Sequence, residues 1–345
     1  MIELSCKLPR HTFTLDIRLQ IESGTVYSLF GPSAAGKSST LHVMAGFENR
    51  MQQAYFSVDG QVLLQVGGKK TINVPSWQRN IILIEQGSLL FPHLTVKQNI
   101  YYAVNRHHQD ELEKWIEEFG LAPYLDAKPK QLSGGLVQRA VLVRAFAKRP
   151  RMLLLDEAFS ALDGPLRRTL QGAVMDLQKE LGTTIIMVTH QLSEAQRMSD
   201  RLGILHNGKL LQEGTPEELM LHPHSWQTAK LLGYTHLLED IRGQKFALHP
   251  NRVLLGNHPH LGPVLQGRIQ RRFWYEGECR VTIKLMDRSV YPDDSNVEIS
   301  VPIDTDIQPG EIQPFTTVHP PYFSHEFLIS ENILHIPESL GQGFR

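Results

Sequence analysis

Val26-Tyr27-Ser28-Leu29-Phe30-Gly31-Pro32-Ser33-Ala34-Ala35-Gly36-Lys37-Ser38 is the stretch on which the reading of the chain turns. Its first five residues are mostly apolar and read as a buried strand; the next eight fit Gly-x-x-x-x-Gly-Lys-Ser, a phosphate-binding loop. From Ser39 to Ala45 the spacing is helical, so the loop joins a strand to a helix, as the motif requires. The glycines let backbone N–H groups turn inward around phosphate oxygens, and the helix N-terminus adds partial positive charge. Lys37 is expected to reach the outer phosphates and the Ser38 hydroxyl to ligate Mg²⁺, with Ser39 beside them.

Outward from this loop, Ile81–Ile84, Met152–Leu155 and Thr184–Val188 are three more apolar runs, alternating with helical patterns. That predicts an α/β domain whose mostly parallel strands are buried on both faces. Asp59-Gly60 and Asn207-Gly208 each separate two strand-like runs and predict type I′ hairpins. From Gly87 to Pro150 the strand signal fades; Val96–Val104, Asp110–Phe119 and Leu136–Lys148 carry helical spacing, which predicts a helical insertion. Beyond about residue 235 short alternating runs, among them 264–269, 279–285 and 297–303, predict a second, all-β domain over 236–345. Met220–Leu232 has helical spacing and is expected to bridge the two.

At 345 residues, two domains are the default. The 35 basic and 36 acidic residues leave a net charge of -1, against a nucleic-acid binder held by a broad basic surface. Segment 241–345 has 10 basic and 12 acidic residues, so it is no basic patch either, although Arg271, Arg272, Phe273, Trp274 and Tyr275 interleave charge with aromatics. Two distant cysteines, Cys6 and Cys279, make neither a disulfide framework nor a cysteine zinc site, which suits a reducing cytoplasm. No apolar run reaches the ~18–20 residues of a membrane span, and the start lacks the basic and apolar regions of a secretory signal. Any membrane contact is expected to come through a partner.

Two further segments carry chemistry. Asp156-Glu157 follows four apolar residues, so both carboxylates sit at the end of a buried strand. Asp156 is expected to hold Mg²⁺ through water, and Glu157 to polarise an attacking water. Leu132-Ser133-Gly134-Gly135, ahead of Gln138-Arg139 and a helix, predicts a second anion cradle whose N–H groups and hydroxyl point outward. A second cradle makes sense if it serves a neighbouring molecule.

With these segments together, residues 1 to about 235 resemble the ATP-binding subunits of ABC transporters. The likeness rests on Gly31–Ser38, Gln86 with Leu90–Val96, Leu132–Gly135, Asp156-Glu157, Ser160–Asp163 and Thr189-His190. It implies that Gln86 touches Mg²⁺ and the water, that Asp163 organises a dimer seam, and that His190 contacts the γ-phosphate. Two copies would clamp two ATP molecules, each between one P-loop and the other copy's Ser133–Gly135. Leu136 and Ala158 depart from the usual glutamine and proline, and neither removes a group the chemistry needs. His11 or Phe13 could stack on adenine; Phe13 alternates with Leu15, Ile17 and Leu19, which favours the core for it.

The tail resembles the OB-like regulatory domain of importer ATPases for molybdate, sulfate, ferric iron, polyamines and sugars, most clearly over Gly267–Gly277. The expectation is therefore a magnesium-dependent ATPase that drives import, cargo an inorganic ion such as molybdate, sulfate or ferric iron. It would sit as a homodimer on the cytoplasmic face of the bacterial inner membrane, against two permease subunits served by a solute-binding protein. The alternative is a non-transport ABC ATPase acting on ribosomes or DNA. The pairs His107-His108, His222/His224 and His258/His260 lack a Cys or carboxylate set to complete a metal site and read as loop residues.

Overall fold

A computed structural model describes the chain except residues 49, 69, 88–89, 103, 105–108, 161, 240–241, 276–277, 287–288, 292–295, 302–307 and 324–345. His107-His108, Ala161, Gly277 and the end of the 297–303 run therefore lie outside the described residues. Two compact units result, Met1–Pro216 and Glu217–Arg345.

In the first unit, β1 (Ile2–Pro9), β2 (Thr14–Ile21), β3 (Val26–Phe30) and α1 (Lys37–Ala45) are followed by β4 (Gln53–Val58), β5 (Gln61–Val66), β6 (Ile72–Asn73) and β7 (Ile81–Ile84). The helices α2 (Val96–Tyr101), α3 (Gln109–Glu118) and α4 (Gly134–Ala147) come next. Then β8 (Met152–Asp156), α5 (Gly164–Leu181), β9 (Thr184–Thr189), α6 (Leu192–Met198), β10 (Arg201–His206) and β11 (Lys209–Gly214) complete it. One sheet runs β6-β5-β4-β1-β2-β11-β10-β3-β9-β8-β7. Its members β10, β3, β9, β8 and β7 pair in parallel.

Alternation along these parallel strands builds two cores. Val26, Leu153, Leu155, Ile185 and Met187 belong to one core, together with Phe146 of α4, Leu170, Val174 and Leu177 of α5, and Trp115 of α3. Tyr27, Leu29, Leu154, Ile186 and Val188 face the other way, onto Leu41 and Met44 of α1. Each large apolar side chain so buried contributes roughly 1.5–3 kcal/mol, and burial on both faces accounts for the near-continuous apolar character of these strands. In α3, Leu112, Trp115 and Ile116 form the buried stripe of an amphipathic helix.

Both predicted hairpins form, with Asp59 and Gly60 at φ 49° and 79° and Asn207 and Gly208 at 45° and 77°, the double left-handed geometry of a type I′ turn. The second one also steadies the phosphate loop. Gly208 donates its N–H to the Ala35 carbonyl at 2.9 Å, and its own carbonyl accepts from the Asp16 N–H at 2.8 Å. A Cβ on Gly208 would lie 2.5 Å from the Thr14 carbonyl oxygen, so only glycine fits.

In the second unit the helix expected over Met220–Leu232 is two short ones, α7 (Pro216–Leu221) and α8 (Trp226–Leu231). Pro223 supplies no N–H to continue the first, and Ser225 caps the second by accepting from the Thr228 N–H at 3.1 Å. The strands are β12 (His236–Glu239), β13 (Lys245–Leu248), β14 (Val253–Leu255), β15 (Val264–Tyr275), β16 (Glu278–Leu285), β17 (Ser289–Tyr291), β18 (Asn296–Val301), β19 (Ile312–Thr317) and β20 (Tyr322–Phe323). They form sheets β14-β19-β15-β16-β18 and β17-β12-β13-β20. Residues of both sheets, among them Phe246, Ile269, Val281, Ile299 and Phe315, share one core. A register shift between Ile269 and Arg271 bends the long strand β15 and curls its sheet. Along that strand Arg271 lies over the Phe273 ring and Trp274 is exposed. Among the described residues no helix is long and apolar enough to cross a membrane.

Candidate functional site

Register decides what meets at the sheet edge. Phe30 pairs with Thr189, Val188 with Asp156, and Leu155 with Ile84, so β3, β9, β8 and β7 end level with one another. The residues that follow them, Gly31, His190, Glu157 and Gln86, emerge at the carboxyl edge where open α/β sheets bind ligands.

The phosphate loop is shaped by close approach. A Cβ on Gly31 would sit 2.0 Å from the Leu205 carbonyl oxygen. Ala34 and Gly36 have φ of 62° and 108°, the alternation that turns successive N–H groups inward. Lys37 is buried and donates from Nζ to the carbonyls of Gly31 and Pro32 at 2.9 and 2.8 Å. Burial lowers its pKa, opposed by the charges of Glu157 and Asp156. Arg10, His11, Phe13, Ser33, Ala34, Gly36, Lys37, Ser38, Ser39 and Glu157 line one cavity of about 340 Å³. Phe13 is thus both: half-buried against the core and on the wall of the cavity. A larger open cleft of about 860 Å³, bounded by Glu3, Arg18, Tyr55, Arg201 and Glu213, holds none of the phosphate-loop residues. Chemistry, not size, selects the smaller one.

Ser38 donates from Oγ to Asp156 Oδ1 at 3.0 Å. Burial raises the Asp156 pKa, and the bond from Ser38 counters it. A hydroxyl beside a carboxylate is a hard oxygen set, and it fits Mg²⁺ completed by water and phosphate oxygens. Among the described residues no three His, Cys, Asp or Glu side chains converge as a metal site.

Glu157 stands at φ 48°, a left-handed conformation that costs a non-glycine residue roughly 1–3 kcal/mol. The surroundings hold it there. Its N–H bonds the Val188 carbonyl at 3.1 Å, and its carbonyl accepts from the N–H and the hydroxyl of Ser160 at 3.1 and 2.9 Å. Outside the strand, Glu157 Oε1 meets His190 Nδ1 at 2.9 Å. The carboxylate can only accept, so Nδ1 donates and Nε2 is the imidazole's other face. Gln86 reaches Ser160 Oγ at 3.5 Å, the limit of a hydrogen bond.

Ser133–Gly135 and Asp163 are not brought to this cavity. The exposed Ser133 hydroxyl caps α4 by accepting from the Leu136 N–H at 3.4 Å. Asp163 caps α5, its Oδ1 accepting from the Leu166 N–H at 2.9 Å. A Cβ on Gly135 would lie 2.8 Å from Leu166 Cδ2, whereas one on Gly134 would meet nothing within 4 Å.

Three supporting groups escape the motif reading. Arg79 is buried and closes the C-terminal end of α1, donating to the carbonyls of Val43, Met44 and Val74. Asn99 is buried in α2 and bonds the backbone of Phe91, Leu94 and Thr95, fixing the segment after Gln86. His42 of α1 meets Glu85 at 2.9 Å, tying the residue before Gln86 to the phosphate-loop helix. A charged or polar residue inside a pattern that must be buried was the one signal available for Arg79 and Asn99.

Comparison with known proteins extends the reading beyond the site. The family model described as ABC transporter matches residues 14–160. The ABC transporter ATP-binding protein YdcT of Escherichia coli, itself uncharacterized, is 32% identical over 282 residues, covering 78% of this chain and 80% of that one. The chain belongs to the ATP-binding proteins of ABC transporters. Within this family, the Fe(3+) ions import ATP-binding protein FbpC of Pseudomonas fluorescens is 41% identical over 227 residues, 65% of this chain and 63% of that protein. The putrescine transport ATP-binding protein PotG of Escherichia coli is 39% identical over 235 residues, 66% and 59% of the two chains. The chain thus spans about three-fifths of the length of these two relatives. The dimeric ATP-binding cassette MJ0796, solved in a post-hydrolysis state with ADP and Pi, aligns with TM-score 0.53 at 23% identity. It covers 63% of this chain and 99% of that one, and shares the fold.

Proposed function

We propose that this ABC ATP-binding protein hydrolyses ATP to drive solute import through a membrane permease. The observation that carries the proposal is Glu157, held in a strained backbone and bonded to His190, on the wall of the cavity built by Lys37 and the phosphate loop. Lys37 binds the outer phosphates, exchanging its bonds to Gly31 and Pro32 for phosphate oxygens. Glu157 takes the proton of the attacking water, an effect worth about 10²–10⁴ in rate. His190 orients that carboxylate through Nδ1 and presents Nε2 to the γ-phosphate. Ser38 and Asp156 would hold Mg²⁺, which neutralises charge on the phosphate oxygens when bound. His11 and Phe13 flank the cavity as the rings on which the base stacks.

A second copy completes the site with Ser133, Gly134 and Gly135, and Asp163 sits at the seam. The exposed Gly134 and the free N–H groups at the start of α4 support that assignment. Residues 1–235 are assigned to the ATPase domain, with 87–150 as its helical subdomain, and 236–345 to a regulatory β domain, although Glu217 onward belongs to the second compact unit. The protein works at the cytoplasmic face of the membrane against two permease subunits. Relatives named for Fe(3+) import and putrescine transport support a cationic cargo. In the test, Glu157→Gln leaves nucleotide affinity within about threefold and lowers kcat by about 10²–10⁴. Hydrolysis at the wild-type rate would overturn the assignment of the base.

A further inference from the structure

We propose that Arg167 is a positioning residue that ties the turn after Glu157 to the segment carrying His190, so that the two move as one. This rests on the reading of Glu157 and His190 as the hydrolytic pair. Arg167 lies in the first turn of α5, its N–H bonded to the Asp163 carbonyl at 2.9 Å. A cation is disfavoured at that end of a helix, so its side chain needs a reason to be there. The guanidinium supplies one. Its Nη2 donates to the Leu162 carbonyl at 2.7 Å, and its Nη1 donates to Gln191 Oε1 at 2.5 Å.

These bonds close a ring. Glu157 leads along the chain to Phe159, whose carbonyl accepts from the Leu162 N–H at 3.3 Å, then through the Leu162 carbonyl to Arg167, across to Gln191, to the adjacent His190, and back to Glu157 through the Nδ1 bond. Glu157 and His190 are thus joined twice, directly on the phosphate side and through Arg167 behind it. Gln191 suits the role because α6 begins on its backbone while its side chain makes no cap for that helix. The first turn of α6 is also joined to α5 by the buried bond from Gln171 Nε2 to Glu194 Oε1 at 3.1 Å; the bonds of Arg167 differ in reaching Leu162 and Gln191, beside the two catalytic residues. A fork that donates in two directions from one plane is what the geometry uses, and lysine cannot reproduce it. If Leu162 shifts, Arg167 passes the shift to Gln191 and the adjacent His190.

The variants Arg167→Ala, Arg167→Lys and Gln191→Ala test this in the full chain. Next to Arg167 is a polar recess of about 200 Å³ bordered by Gly164, Ser193 and Arg197, so water can fill the space left by truncation. A misplaced catalytic group costs up to about 10²-fold; Arg167→Ala is expected to lower kcat by about tenfold to that limit, with KM for ATP within about threefold. Gln191→Ala should match it, and the double variant should lose no more than either single one, the mark of a shared interaction. Arg167→Lys should recover part of the loss. Wild-type kcat in Arg167→Ala, or losses that multiply in the double variant, would overturn the proposal. Hydrogen exchange of the same variants without nucleotide gives a readout that needs no turnover. Faster exchange at both 162–163 and 190–193 in Arg167→Ala supports the tie, and unchanged exchange at either segment overturns it. Were Glu157→Gln to hydrolyse normally, the hydrolytic reading would fall while the exchange result still decided the role of Arg167.

Discussion

Gly31 and Glu157 show how single positions in this protein are decided by neighbours far away in the chain. At Gly31 the constraint is the Leu205 backbone, whose carbonyl oxygen would be 2.0 Å from any Cβ. Neither atom is on a flexible side chain, so relief requires β3 and β10 to part at the point where Phe30 pairs with Ile204. Gly31→Ala is therefore expected to destabilise by about 1–3 kcal/mol, toward the upper end of the range for overpacking, and to weaken nucleotide binding. Denaturant midpoints and titration with a fluorescent ATP analogue measure both, and an unchanged midpoint would refute the steric account. At Glu157 the neighbours work in the opposite sense: Val188 and Ser160 hold a conformation the residue disfavours. That bond pattern lets the carboxylate leave the strand and face His190.

Among the elements, the Asp59-Gly60 hairpin turn separates conformation from charge. Asp59 accepts from the Met1 amino group at 2.8 Å, from Ser23 Oγ at 2.5 Å and from Arg151 Nη2 at 3.0 Å. These donors, the amino group first, hold its carboxyl well below the usual carboxylate range. Between the folded and unfolded pKa the unfolded chain binds more protons, so this stability is present above the ordinary value of about 3.9 and fades as pH falls below it. Asn keeps the left-handed turn, so Asp59→Asn should lower Tm modestly at pH 7, the group being solvent-screened. The deficit should shrink as the pH is taken below about 4. A deficit equal at pH 7 and pH 2.5 would mean the turn, not the charge, was lost. The caps of α4 and α5 teach the companion lesson. Ser133 and Asp163 each cap a helix, so a substitution at either position acts on its own helix as well as on any partner.

For the whole molecule the decisive question is pairing. The cavity gathers the phosphate loop and Glu157, while Ser133, Gly134 and Gly135 lie outside it. If a second copy completes the site, Glu157→Gln with ATP and Mg²⁺ should sediment as a dimer, because binding persists while turnover stops. Ser133→Arg added to it should restore the monomer without weakening nucleotide binding by more than about threefold, since the arginine faces the partner's nucleotide. A monomer under saturating ATP in the first variant would count against the shared site. At this scale the ordering of the chain was legible: apolar runs too continuous for half-exposed strands predicted a parallel sheet buried on both faces, and the hairpin dipeptides marked their turns. The break between α7 and α8 was legible too, at Pro223 and Ser225, but helical spacing across it masked the signal. Arg79, Asn99 and Arg167 were not, because each is a polar residue whose partners are backbone carbonyls or amides contributed by other elements.

What the sequence determined by itself was chemistry that is local along the chain: a phosphate loop between strand and helix, carboxylates at a strand end, glycines where φ must be positive. Spacing suffices for these because backbone geometry links neighbours directly. Only the tertiary structure decided what depends on register: that Glu157 meets His190, that Ser133 and Asp163 turn back onto their helices, and that Arg167 joins two segments 24 residues apart. Those contacts follow from how strands align and helices pack, and no pattern of neighbours along the chain encodes them.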